Sequence, residues 1–187
     1  MNLFIRLFRM VFVHLLTRPK ANILDVSRRN YQVWITDHDM FGHMNNSRYT
    51  SFMDIGMVHI FLRGRMIGSL HKAGLSPVVM GKQVSFYRPL SFPMRYQLVT
   101  QIVCWSKFHV LFQHDFVHKG KVHARGHTIG RLIGARDDRP TMAEVIDRCG
   151  WDVPHESPEP TGWQRAILNR AEAEKDTRAP IETAISG

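Results

Sequence analysis

The stretch Trp34-Ile35-Thr36-Asp37-His38-Asp39-Met40-Phe41-Gly42-His43-Met44-Asn45-Asn46-Ser47-Arg48-Tyr49 constrains this chain more than any other. Before it, Tyr31, Val33 and Ile35 alternate with period two, which predicts a strand over Tyr31 to Thr36. After it, Tyr49, Phe52, Met53, Gly56 and Ile60 recur at helical spacing, which predicts a long helix from Asn46 to about Leu62. The polar cluster is therefore a loop entering a helix. Asn45 or Asn46 can cap that helix by accepting from its free N–H groups. Carboxylate, imidazole and helix N-terminus meet at one turn, a combination suited to an active site.

The chain has 187 residues, enough for one domain with tails, and its 44% hydrophobic content can fill a core. Four further strands are expected: Val78 to Tyr87, Tyr96 to Trp105, His109 to Val117 and Val122 to Ile133. Leu98, Thr100, Ile102 and Cys104 should share one face of the second of these. Short links make the pairing antiparallel. The segment from Arg63 to Pro77 reads as turn and connector, with at most one short helical turn. The expected fold is α+β: an antiparallel sheet of about five strands that buries its apolar face on the one long helix.

Three parts are expected along the chain: an amphipathic helix over 1–20, the domain over 21–136, and a helical extension with a frayed tail over 137–187. Met1 to Leu16 is mostly apolar, with Asn2, Arg6, Arg9 and Thr17 on one narrow face. It is too short and too charged for a confident membrane span, which needs roughly 20 apolar residues, and it lacks a secretory cleavage site. A helix lying on a membrane with its arginines towards the headgroups fits; so does a helix packed on the domain or on a partner. Arg18-Pro19-Lys20 makes a basic hinge. Thr141 with Glu144 and Thr161 with Gln164 are capping-box patterns that open two short C-terminal helices. Trp151 and Trp163 are placed to pin these segments.

The loop pattern Asp37-x-Asp39-x-x-Gly42-His43-x-Asn45-Asn46-x-x-Tyr49 resembles the signature of hotdog-fold thioesterases of the 4-hydroxybenzoyl-CoA thioesterase-like and acyl-ACP thioesterase-like families. Seven positions match at fixed spacing and in the strand-to-helix context. Within them the chain is similar to the group related to thioesterase superfamily member six. That group shares the apolar, arginine-containing N-terminus and the sequence from His43 to Tyr49. The resemblance covers about Asn30 to Gly134. It implies an acyl-CoA (or acyl-ACP) thioesterase, a homo-oligomer (dimer or tetramer) with its site near the subunit interface, and no metal or redox cofactor. It also implies that Asp39 is the catalytic carboxylate and that the oxyanion donor falls near Asn46. His43 matches the histidine of the acyl-ACP branch, which usually has an asparagine where this chain has Phe41. The histidine-phenylalanine-proline motif of hotdog hydratases and dehydratases is absent.

Attack on a thioester carbonyl puts negative charge on its oxygen, and N–H groups at a helix N-terminus can hold that charge. Losing such a donor typically costs about 2.7–4 kcal/mol. Asp39 is either a general base for water or a nucleophile that forms a mixed anhydride. His43 orients water, bonds Asp39 or shapes the loop. Tyr49, Phe41 and Asn45 are expected to line the substrate pocket, and Asp37 to brace the loop. Lys82, Arg88, Lys107, Arg125 and Arg131 are candidates for CoA phosphates or a solvated face. Asp54 reads as an ordinary polar residue or an intersubunit contact.

His123 and His127 share a strand face but lack acidic or cysteine partners at matching spacing, so they read as solvent-facing rather than metal ligands. Cys104 and Cys149 form no disulfide framework and read as reduced or buried thiols. The formal net charge of +9 suits anionic lipid, a phosphate-bearing cofactor or nucleic acid. No nucleic-acid motif accompanies it, so nucleic acid ranks last. The N-terminal helix suggests a cytoplasmic location at the inner face of a membrane. A non-catalytic hotdog that binds acyl-CoA or acts as a membrane-associated scaffold is the main alternative.

Overall fold

The computed structural model describes residues 3–17 and 21–173. The basic hinge at 18–20 and the tail from 174 onward lie outside the described residues. An 18-residue helix, α2 (Asn46–Arg63), forms the axis of the fold. Five antiparallel strands curl around it: β1 (Ser27–Gln32), β2 (Ser76–Phe86), β3 (Arg95–Trp105), β4 (His109–His118) and β5 (Lys121–Ile133). Their order across the sheet is β1-β3-β4-β5-β2, so β1 and β2 are the edges. This is the α+β arrangement expected from the sequence.

The residues chosen for their helical spacing, Tyr49, Phe52, Met53, Gly56 and Ile60, are all buried on α2. Gly56 permits the closest approach to the sheet, since a β-carbon there would collide with the Thr100 hydroxyl of β3. That hydroxyl bonds His114 Nδ1 at 3.1 Å, and Thr128 Oγ1 lies 3.2 Å from His114 Nε2. His114 is thus a buried imidazole satisfied by two hydroxyls, as burial of a polar ring requires. Its pKa is pushed from 6.5 to about 3, mainly by burial, with the His127 and Lys82 charges adding to the shift.

Between those two values the unfolded chain binds a proton that the native protein refuses. Stability is therefore full above the unfolded value and falls as the pH drops through the window. At about pH 5, His114 alone should cost about 2 kcal/mol. His59 and His127, each pushed down to about 4, again mainly by burial, act in the same sense. The urea midpoint should fall clearly between about pH 7 and pH 5. A midpoint unchanged over that range would mean that His114 is not held neutral.

Several local expectations are corrected. The first strand ends at Gln32 rather than Thr36, and Ile35–Asp37 forms a 3₁₀ turn. Ile35 is exposed, so its place in the alternation was coincidental. The connector holds a full helix, α3 (Met66–Lys72), anchored by buried Met66 and Leu70. In β3 a bulge falls between Ile102 and Cys104. Leu98, Thr100 and Ile102 face α2, but Cys104 turns to the opposite side of the sheet. There it packs with Leu111 and with Leu168 of the last helix, α5 (Gly162–Ala173).

His123 and His127 are buried rather than solvent-facing: α5 covers His127 on the outer face of the sheet, while His123 lies against the Pro89 carbonyl, 3.1 Å from its Nδ1. Trp163 sits 4.4 Å from the His127 ring between centroids. Ala171 is buried, so the helical extension stays packed on the domain to the end of α5. Helix α4 (Met142–Cys149) carries both halves of the Thr141/Glu144 capping box, and Trp151 donates to Ser69 Oγ at 2.8 Å. At Thr161, the backbone N–H donates to the Gln164 side chain at 2.8 Å. Both cysteines are free thiols.

Helix α1 (Leu3–Thr17) packs on α2 in an orientation the helical wheel did not reveal. Arg6 is not directed towards solvent. It is 4% exposed, stacks over the Phe52 ring at 4.8 Å and pairs with Asp37 at 2.7 Å. Met10 is buried beside it, while Ile5, Phe8, Phe12 and Leu16 are exposed. The helix thus turns an arginine inward and an apolar row outward. Among the described residues no helix is long and apolar enough to cross a membrane.

Candidate active site

Asp37 and Asp39 lie two apart in an extended turn and play opposite parts. Asp37 is 2% exposed. Its Oδ2 accepts from the Trp34 N–H at 2.9 Å and from Arg6 at 2.7 Å, and Arg48 Nε stands 3.8 Å from its other oxygen. Its carbonyl accepts from the Asn45 N–H at 2.8 Å. The residue therefore ties β1, α1 and the start of α2 together.

Asp39 is half-buried, and among the described residues its Oδ1 accepts only from the Phe41 N–H of its own turn, at 2.9 Å. The turn closes through Asp39 N–H to His43 O and Gly42 N–H to Asp39 O, at 2.9 and 3.2 Å. Gly42 adopts φ +74°, a left-handed backbone that glycine takes without strain.

The Asn45 side chain caps α2 by accepting from the Ser47 N–H at 2.9 Å. The Arg48 N–H turns back to the Asn45 carbonyl. Among the described residues no acceptor meets the Asn46 N–H, which leaves it at the open, positive end of the helix.

Asp39, Phe41, His43, Asn46 and Tyr49 line one cleft of about 380 Å³, closed on its far side by Phe86 to Pro89. Asn45 stands behind it as the cap. Phe41 is largely exposed at the rim, and Tyr49 is buried against Phe86 and Phe116, with ring centroids 5.0 and 4.9 Å away. Burial pushes the Tyr49 hydroxyl up to about 12, with a Leu90 backbone hydrogen bond opposing and the Asp39 charge adding to the shift. Tyr49 is thus a neutral hydroxyl near the Asp39 carboxylate.

His43 does not bond the Asp39 side chain. Its Nδ1 pairs with Ser91 Oγ at 3.0 Å, so Ser91, which has no sequence motif of its own, sets the imidazole. His38 is a second residue that sequence reasoning missed. Its Nε2 accepts from the Phe92 N–H at 2.7 Å and holds the loop before β3 against the acidic turn.

Of the five basic residues weighed for CoA phosphates, only Arg88 lines this cleft. Lys82 pairs with Asp54 at 2.5 Å, Arg125 with Asp115 at 2.6 Å, and Arg131 is buried over Phe108. Among the described residues, no three His, Cys, Asp or Glu side chains gather as a metal site.

An antiparallel five-stranded sheet wrapped around one long helix, with Asp39 and the first residue of that helix, Asn46, lining one cleft, is a hotdog framework. The model of the thioesterase-like superfamily matches residues 33–159, and the chain belongs to that family. The protein THEM6 of Xenopus laevis is 30% identical over 101 residues, 50% of this chain and 48% of that protein. The chain therefore spans about half the length of this curated relative. Among solved structures, the probable thioesterase YbaW from Escherichia coli superposes with a TM-score of 0.61 at 14% identity, over 65% of this chain and 94% of that one. A DHNA-CoA thioesterase from Staphylococcus aureus superposes with a TM-score of 0.51 at 16% identity, over 80% and 93%.

Proposed function

We propose that this protein hydrolyses an acyl-CoA thioester of a fatty or aromatic acid, using Asp39 and the N-terminus of α2. The observation that carries the reading is the cleft shared by Asp39 and Asn46, the first residue of α2. Asp39 either takes a proton from water, so that hydroxide adds to the carbonyl carbon, or adds through its own oxygen. The carbonyl oxygen gains the negative charge and is met by the Asn46 N–H. Collapse expels the CoA thiolate, which needs little protonation help. Water then cleaves the mixed anhydride if Asp39 was the nucleophile. His43, oriented by Ser91, holds water at the mouth, and Phe41 and Tyr49 line the acyl path. Arg88 is the cation placed to meet a CoA phosphate.

Two associations complete the reading. The β2 edge carries exposed Val79, Met80 and Phe86, an apolar edge suited to pairing with a second copy. Such pairing sets partner residues beside the cleft, which Phe86 also lines. The outward row on α1 suits peripheral contact with a membrane from the cytoplasmic side. The test is thiol release from a panel of acyl-CoAs, short to long and aromatic. Turnover of one class supports the proposal and names the substrate. Tight acyl-CoA binding without turnover on any CoA or ACP ester would favour the binding or scaffold reading.

A further inference from the structure

A second basin, of about 740 Å³, lies between α1 and the ends of β1 and β3, and shares no lining residue with the Asp39 cleft. Five cations line it: Arg6, Arg9, Arg29, Arg95 and Lys119. Among the described residues no carboxylate lines it. Asp37 pairs with Arg6 alone of the five, so among the described residues the other four positive charges face the basin without a matching anion.

Among the described residues, three buried polar atoms of its wall meet no hydrogen-bond partner: Arg6 Nη1 and the hydroxyls of Tyr31 and Tyr96. Arg6 is 4% exposed and Tyr96 is 2% exposed. Buried donors left unmatched cost free energy and call for an acceptor. Lys119 is held at φ +47°, where asparagine or glycine is the usual choice, and this turn sets the lysine at the basin. Tyr31 reports the same field: burial raises its pKa, while Arg29, Arg6 and Arg9 each pull it down.

We propose that this basin is an anion site that takes a phosphate group, held by Arg9, Arg29, Arg95 and Lys119 around the Arg6 and Tyr96 donors. Arginine's planar fork and lysine's point charge both suit phosphate oxygens. The phosphate arrives either on a soluble ester or as a phospholipid headgroup beneath the apolar row of α1.

The test is calorimetric titration of the full chain with inorganic pyrophosphate, alongside co-sedimentation with phosphatidylcholine vesicles with and without phosphatidic acid. Arg9→Gln/Arg95→Gln removes two exposed basin cations. Arg28→Gln/Lys121→Gln removes two exposed cations outside it. Pyrophosphate binding that the basin variant weakens about thirtyfold, and the control variant much less, assigns a soluble phosphate. Binding only to phosphatidic-acid vesicles, lost in the basin variant alone, assigns a headgroup. Lys119→Asn, which the left-handed turn accommodates, should weaken either mode in the same sense. Absence of both modes, or equal weakening in basin and control variants, overturns the site and leaves the charge as a solvated face.

Discussion

Asp39→Asn should lower the rate of thioester hydrolysis by about 10²–10⁴ while leaving the fold intact. The fold is spared because the Asp39 side chain makes a single hydrogen bond, from the Phe41 N–H to Oδ1, and an asparagine carbonyl accepts that bond equally well. What the amide lacks is the ability to take a proton from water or to act as an oxygen nucleophile. Unfolding should be monitored beside thiol release, so that a lost turn is not mistaken for lost chemistry. Full activity in a folded Asp39→Asn protein would remove Asp39 from the mechanism and move attention to His43. Single-turnover hydrolysis in ¹⁸O-labelled water tests the nucleophile role: label in the Asp39 carboxylate after turnover marks a mixed anhydride opened at the aspartyl carbonyl. Label in the released acid alone excludes that route and fits both a general base and water attack on the acyl carbon of an anhydride.

The central helix was legible because its apolar residues repeat at one spacing and the sheet meets all of them. The acidic loop was legible as a local pattern, since turn, glycine and cap all lie within a few residues. What escaped depends on residues far apart in the chain. The burial of His127 requires α5, which begins more than thirty residues later, and His123 meets the Pro89 carbonyl from 34 residues earlier in the chain. The bulge in β3 changes which face Cys104 occupies without leaving a mark in composition. Ser91 orients His43 across 48 positions. An arginine on an otherwise apolar helix reads as its solvent face unless its carboxylate partner is known, and the partner of Arg6 is 31 residues away.

That pair carries the other large effect. Arg6→Met should destabilise the protein by about 3–5 kcal/mol, because it strands the Asp37 charge in a site that is 2% exposed. Arg48, at 3.8 Å and part-exposed, is too weak a partner to replace it. Asp37→Asn keeps an oxygen for the Trp34 N–H and should cost less alone, leaving Arg6 with the Gln32 carbonyl at 3.3 Å. The double variant Arg6→Met/Asp37→Asn removes both charges, so its loss should be well below the sum of the two single losses. Urea unfolding of the four proteins closes that cycle. A loss under about 1 kcal/mol for Arg6→Met would mean that the pair is open in solution and α1 is not seated on the domain. If α1 is seated, the same variant should also slow hydrolysis, although Arg6 lies outside the cleft. Asp37 anchors Asn45 through its carbonyl, Asn45 caps α2, and the cap sets the Asn46 N–H beside Asp39. The N-terminal helix is thus linked to the proposed reaction centre through one buried ion pair.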